Sequence, residues 1–414
     1  MATLCFLTGF GFKSEAQTKW RREVKDKKII EISWSSPTPS YFRDHIKQME
    51  KAPVNGLGLK LPDSVGGGNV FRIDLWKETK EKDRQEQLDI LASLPKSKVL
   101  TDNFVTIHGE STMDWFNDSD WKVVEENLRF CAKAAKISGF KGVFWDAEPY
   151  GKVNPWNYSA LPEKGKHAFS EYAKQVRKRG GQFVRTLQSE FPGVVILSMR
   201  QLSDFQDGSP FSAHLLPLRG EHLDPKYIDN ELSFSYWGLH VAFTDGMLDA
   251  LDTASTFVDA NEDAYFYTSE LEFFKAYHTL KVEAQALVSP ENRNKFGVQY
   301  EVGHAISTDY TAGGWAGKLN AFPRWLDSQA TVLTPEQRAQ WLEHNVYYTL
   351  ATSDRYCWLY SESINWWEQK NIPPGFEEAI RSARNKYEEG KPLGFKIEAM
   401  MESARERLKV KAKK

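Results

Sequence analysis

The chain has 414 residues, 41% of them hydrophobic and 27% charged, enough to bury a sizeable core and excluding disorder for most of its length. Lys plus Arg (54) nearly balance Asp plus Glu (56), so no global field steers the protein onto nucleic acid or an anionic membrane, and a neutral partner is expected. Aromatic residues reach 13%, with 14 Trp, and part of that excess is expected to line a cleft.

Ala2 to Phe12 is a short apolar run followed by Ser14-Glu15-Ala16, the small-x-small shape of a signal-peptidase site, although the basic segment of a signal is missing. Residues 1–27 are read as a signal-peptide remnant and the protein as periplasmic or extracellular, with a cytoplasmic protein as the alternative. No other run is long enough to span a membrane. Cys5, Cys131 and Cys357 lack disulfide or metal-ligand spacing, and Cys131 and Cys357 read as small apolar side chains. No cofactor is implied.

From 28 to 390, short β-branched or aromatic runs alternate with helical patterns, the form of repeated βα units. The expected strands are Lys28–Trp34, Gly56–Leu61, Val99–His108, Lys141–Asp146, Val194–Met199, Ala264–Thr268, Phe296–Tyr300 and Tyr356–Ser361. Between them helices are expected through Met49, over Lys80–Leu94, and over Ser119–Ile137 with Ser119 or Asp118 as N-cap. Others are expected over Glu163–Phe191, Gly238–Leu251 and Phe273–Leu287, from Thr334-Pro335-Glu336, and over Gly375–Tyr387. Eight such units predict an α/β protein, a single-domain (β/α)8 TIM barrel with loop insertions. Residues 391–414 form a basic tail, read as a solvated or frayed helix.

In such a barrel the active site is built where strands end. The residues there are Lys60, His108, Asp146 with Glu148, Arg200, Glu270 with Glu272, Glu301 and Glu362. Asp146 and Glu148 are two apart and share a face. Glycosidic hydrolysis commonly needs one carboxylic acid to protonate the leaving oxygen and a second group as nucleophile or base. Glu148, Asp146 and Glu301 are the expected catalytic residues. Substrate-binding candidates are Lys60, His108, Arg200, Glu270 and Glu362, with aromatics that pack on sugar rings: Tyr150, Trp156, Trp315 and Trp366.

The run Gly139-Phe-Lys-Gly-Val-Phe-Trp-Asp-Ala-Glu-Pro-Tyr-Gly151 resembles the fourth strand of TIM-barrel glycoside hydrolases, and the chain from Ile29-Ile30-Glu31 through Asp354-Arg355-Tyr356 to Trp366-Trp367 resembles a bacterial family of uncharacterised members with an Asp-x-Glu motif there. The resemblance implies polysaccharide degradation. It maps in two ways: Glu148 as acid/base and Glu301 as nucleophile, as in retaining enzymes, though Ala147 replaces their Asn; or Asp146 and Glu148 as a chitinase-like Asp-x-Glu acting with the substrate's acetamido group, though Phe144 replaces a further Asp. A noncatalytic carbohydrate-binding barrel is the alternative function. A metal-dependent hydrolase or lyase using His108 and Asp146 is a third, without H-x-H spacing to support it.

Overall fold

The structure is a computed structural model that describes residues 27–207, 215–313 and 329–412. The N-terminal run read as a signal remnant, and Trp315, lie outside them. Nine parallel strands form one curled sheet with helices outside it, a TIM-barrel-like α/β fold. In chain order the strands are β1 (Lys28–Ser33), β2 (Gly56–Lys60), β3 (Phe104–His108), β4 (Gly142–Asp146), β5 (Val195–Ser198), β6 (Thr256–Asp259), β7 (Tyr300–Val302), β8 (Ala305–Ser307) and β9 (Tyr356–Ser361). Spatially they run β7-β6-β5-β4-β3-β2-β1-β9-β8.

Alternation along the strands sorts the apolar residues into two cores. Ile30, Ile32, Phe104, Phe144, Leu197, Val258, Ala305 and Trp358 pack together on the concave side. Ile29, Leu57, Val105, Val143, Trp145, Ile196 and Phe257 belong to the larger cluster shared with the helices. Where strands crowd, glycine is needed: a Cβ on Gly142 would stand 1.9 Å from the Val195 carbonyl oxygen.

The helices follow their end signals. Helix α1 (Asp118–Ile137) is capped by Asn117, whose side chain accepts from the amides of Ser119 and Asp120, one position before the expected cap. Helix α2 (Phe169–Glu190) packs on α3 (Leu239–Ala250), with Gly180 close against the Phe243 carbonyl and Gly246 against that of Arg177. Helix α4 (Pro335–Thr352) opens on a Thr334–Gln337 capping box. The C-terminal helix α5 (Glu398–Ala412) docks through Ile397, Met401 and Ala404 onto Trp341, Tyr310 and Leu333.

The third strand begins at Phe104 and not at Val99, and two further strand expectations are corrected. The sixth strand is Thr256–Asp259 and not Ala264–Thr268, because Glu262–Phe266 forms a 3-10 turn that carries Tyr265 onto Trp358, ring centroids 5.5 Å apart. Phe296–Gln299 is helical and the strand begins only at Tyr300, on which Phe296 stacks at 4.3 Å. In both places aromatic residues gave a β-like composition that tertiary packing used otherwise. The helix expected over Phe273–Leu287 runs as Glu270–His278, a π turn to Glu283 and a 3-10 turn to Leu287. Among the described residues no helix is long and apolar enough to cross a membrane.

Candidate active site

The site grows from the end of β4. Asp146, 7% exposed, uses Oδ1 to accept the amide of Glu148 at 2.9 Å and turns Oδ2 toward Nδ1 of His108 at 3.2 Å. His108 is its register partner on β3. The next residue, Gly109, donates its amide to the Asp146 carbonyl at 2.7 Å. A Cβ on Gly109 would press on the Ala147 backbone at 3.0 Å, so glycine lets the two strand ends close up. Behind the motif, the Trp156 indole N–H donates to the Ala147 carbonyl at 2.7 Å.

Glu148 is gripped from two sides. Tyr150 donates its hydroxyl to Oε2, and Nε of Arg200 stands 3.5 Å from Oε1. Burial raises the Glu148 pKa above the usual carboxylate range; Arg200 opposes that rise and the Asp146 charge adds to it. Tyr150 is likewise raised, by the protein packed around its hydroxyl and then by Asp146 and Glu148, so it remains a hydroxyl donor although half of its surface meets solvent.

Arg200 gathers several carboxylates. Besides Glu148 it bonds Asp204 through Nη1 at 2.9 Å and pairs with Glu262 through Nη2, with its guanidinium 5.8 Å from the Trp237 ring centre. Burial pushes Asp204 up to about 8 against the pull of Arg200. His240, fully buried between Trp156 and Trp237, is held well below its usual pKa by burial and then by Arg200.

Aromatic residues form the floor and rim. Phe144 and Tyr265 lie on Trp358, and Tyr265 stacks on Tyr360 at 5.6 Å. Tyr265 also senses the charges of Glu148 and Arg200. Tyr360 donates to Glu362 at 2.9 Å, and buried Asp309 fixes that turn by accepting the amides of Glu362 and Ser363. Trp34, 61% exposed, meets the edge of Tyr150 at 6.1 Å, while exposed Tyr236 feels the charge of Glu148.

Of the expected site residues, Asp146, Glu148, Tyr150, His108 and Arg200 are brought together; Glu362 joins the rim through Tyr360, and Lys60 is exposed at the end of β2. Glu301 is elsewhere. Burial, then the Asp354 charge, pushes it up to about 7, with Arg355 and Lys281 opposing. Asp354 and Arg355 precede β9, at the opposite end of the strands from Glu148. Trp156 and Trp366 are fully buried, so neither offers a face to a sugar. Glu270 bonds Tyr348 at 2.5 Å among the helices.

Trp34, Asp204, Tyr236, Glu262, Tyr265 and Tyr360 were not anticipated. Trp34 and Tyr360 carry a signal, since they stand just after β1 and near the end of β9 with the parity of Ile32 and Trp358. Glu262 and Tyr265 were hidden by the misplaced sixth strand. Among the described residues no group of three or more His, Cys, Asp or Glu is arranged to hold a metal ion.

No protein-family model matches this chain. No curated protein matches it. Solved structures similar to it include a GH5-4 broad-specificity endoglucanase from an uncultured bacterium (TM-score 0.44, 9% identity, covering 88% of this chain and 96% of that one). Also similar are a GH18 chitinase from Pseudoalteromonas aurantia (0.38, 12%, 86% and 100%) and a beta-mannanase from the blue mussel Mytilus edulis (0.38, 12%, 89% and 94%). Likeness of this degree carries no argument about chemistry, which rests on the site itself.

Proposed function

We propose that the chain is a glycoside hydrolase, one closed (β/α)8 barrel over residues 28–390, with Glu148 as the acid that protonates the leaving oxygen. The observation that carries this reading is the environment of Glu148. Its carboxyl is partly buried beside Asp146, which favours the protonated form, yet Tyr150 and Arg200 hold it in place at the strand ends. Trp34, Tyr150 and Tyr236 supply exposed aromatic surface around it, suited to an oligo- or polysaccharide. Asp146 orients the motif, and Glu301 has no part in it.

Barrel closure is supported by the strand pairing. The free edges of the sheet, β7 and β8, are separated in the chain only by Gly303 and His304. The Gly303 amide bonds β6 at Asp259, and the His304 carbonyl accepts from Trp358 of β9. Following paired residues from Ala305 through β9, β1 and the other strands back to β7 returns at the level of position 297. The displacement from 305 to 297 is eight residues, the shear of a TIM barrel. On this reading β7 and β8 are two halves of one bent seventh strand.

The test is hydrolysis of soluble β-glucan, xylan, mannan and chitooligosaccharides with product analysis, by the wild type and Glu148→Gln. The variant should keep its fold and lose turnover by about 10²- to 10⁴-fold, with partial recovery on a leaving group that needs no protonation. Normal turnover by Glu148→Gln would remove Glu148 as the acid. Binding without hydrolysis by the wild type would point to a carbohydrate-binding barrel instead. Export, inferred from residues 2–16, is tested by cell fractionation.

A further inference from the structure

The mechanism above leaves one proton transfer unassigned, because water must be deprotonated as it attacks the sugar. We propose that His108, oriented by Asp146, is that base, and that hydrolysis proceeds with inversion at the anomeric carbon. This rests on the reading of Glu148 as the acid.

Three features build the case. First, Asp146 cannot swing freely: one oxygen accepts the Glu148 amide at 2.9 Å while the other faces His108 Nδ1 at 3.2 Å. A carboxylate there selects the Nδ1–H tautomer, since only a donor can face it, and leaves Nε2 with its lone pair on the far side of the ring. Secondly, His108 is held through its backbone. Its carbonyl accepts from Val70 at 3.1 Å, it pairs with Asn69 on one side, and β3 pairs with β4 on the other. Thirdly, the ring is neither sunk nor free, with 24% of its side chain exposed at the mouth, so water reaches it.

The spacing fits an inverting enzyme. His108 is one strand across from Asp146, roughly 5 Å away by strand spacing, and Glu148 lies two residues further along. An offset of this kind is what a water held between base and acid requires. In the reaction Nε2 takes a proton from water as the water oxygen bonds to the anomeric carbon. The bond from that carbon to the glycosidic oxygen breaks with its electron pair on oxygen, which takes the Glu148 proton. Asp146 stabilises the imidazolium, which then gives its proton to solvent while Glu148 takes one up.

The first test reads the tautomer without substrate, from long-range ¹H–¹⁵N correlations of labelled protein, assigned with His108→Gln. A neutral Nδ1–H ring that loses this preference in Asp146→Asn is expected; an Nε2–H ring would overturn the proposal. The second follows the anomer first released from the four glycans by NMR. Inversion is expected, with turnover of His108→Ala lower by about 10²- to 10⁴-fold and not recovered on an activated leaving group, unlike Glu148→Gln. Retention, or a His108→Ala enzyme within threefold of wild type, would overturn it while leaving the Glu148 assignment standing. His108→Gln, which keeps the ring's bulk, substitutes if the alanine variant fails to fold. A wild type that cleaves none of the four, or an active Glu148→Gln, overturns the parent reading and this one with it.

Discussion

The indole of Trp156 donates its only hydrogen bond to the carbonyl of Ala147, the peptide that separates Asp146 from Glu148, at 2.7 Å. The ring is fully buried against Trp115, Trp145 and Phe243. A core side chain therefore braces the acidic motif from behind.

Trp156→Phe keeps most of that packing and leaves the Ala147 carbonyl without its partner. Stability should fall by about 1–3 kcal/mol in urea titration. Turnover should fall on the order of 10- to 100-fold with KM little changed, because Glu148 loses its fixed position. A variant equal to wild type in kcat would show that the brace has no bearing on catalysis.

Burial and the charge of Asp146 both raise the Glu148 pKa, and Arg200 lowers it. Removing the negative charge in Asp146→Asn takes away one raising influence, so Glu148 should ionise at lower pH. With Glu148 as the proposed acid its protonated form is the active one, and the alkaline limb of kcat/KM should move to lower pH, alongside any loss of rate. A limb that stays in place would show that the two carboxyls do not interact.

Glu31 faces the helix layer, is fully buried, and is pushed from 4.5 to about 7, chiefly by burial. Its folded-state pKa is raised, so the folded state holds its proton more tightly than the unfolded chain. Stability is unaffected below about pH 4.5 and is lost as pH rises towards 7. The loss amounts to about 3 kcal/mol in full. Glu31→Gln cannot ionise, and its stability relative to wild type should rise by about that amount between pH 4 and pH 8. Parallel stability curves for the two proteins would contradict this.

Trp34 is 61% exposed and meets the site at the edge of Tyr150 and through a hydrogen bond to Tyr360. Trp34→Ala should leave the melting temperature within a degree or two, since no core packing is lost. An aromatic contact of about 0.5–1.5 kcal/mol predicts a KM for oligosaccharide roughly 2- to 10-fold higher. An unchanged KM would exclude Trp34 from the sugar path.

Much of this was legible in local pattern. Strand parity identified Asp146 and Glu148 as sharing a face, and Thr334-Pro335 marked the start of α4. The eighth expected strand, Tyr356–Ser361, has the same bounds in the structure. These features depend on neighbours two to four residues away, and the sequence contains those neighbours. Arg200 following β5 was also readable, because a polar residue at a strand end stands out from an apolar run.

What only the tertiary structure decided is which end of the sheet a residue occupies and whether an aromatic ring meets solvent. Glu301 has a carboxylate at a plausible strand end, but its strand starts at Tyr300, four residues after the expected start, which leaves it beside Asp354 and Arg355. Trp156 and Trp34 look equally suited to a sugar, yet one lies beneath Ala147 and the other stands in water. The reason is physical. Alternation fixes a side chain's face through two backbone dihedrals per residue, whereas height in the sheet depends on register summed over every strand pair. Burial of a ring likewise depends on helices and loops distant in sequence, such as α3, which carries His240 and Phe243 against Trp156.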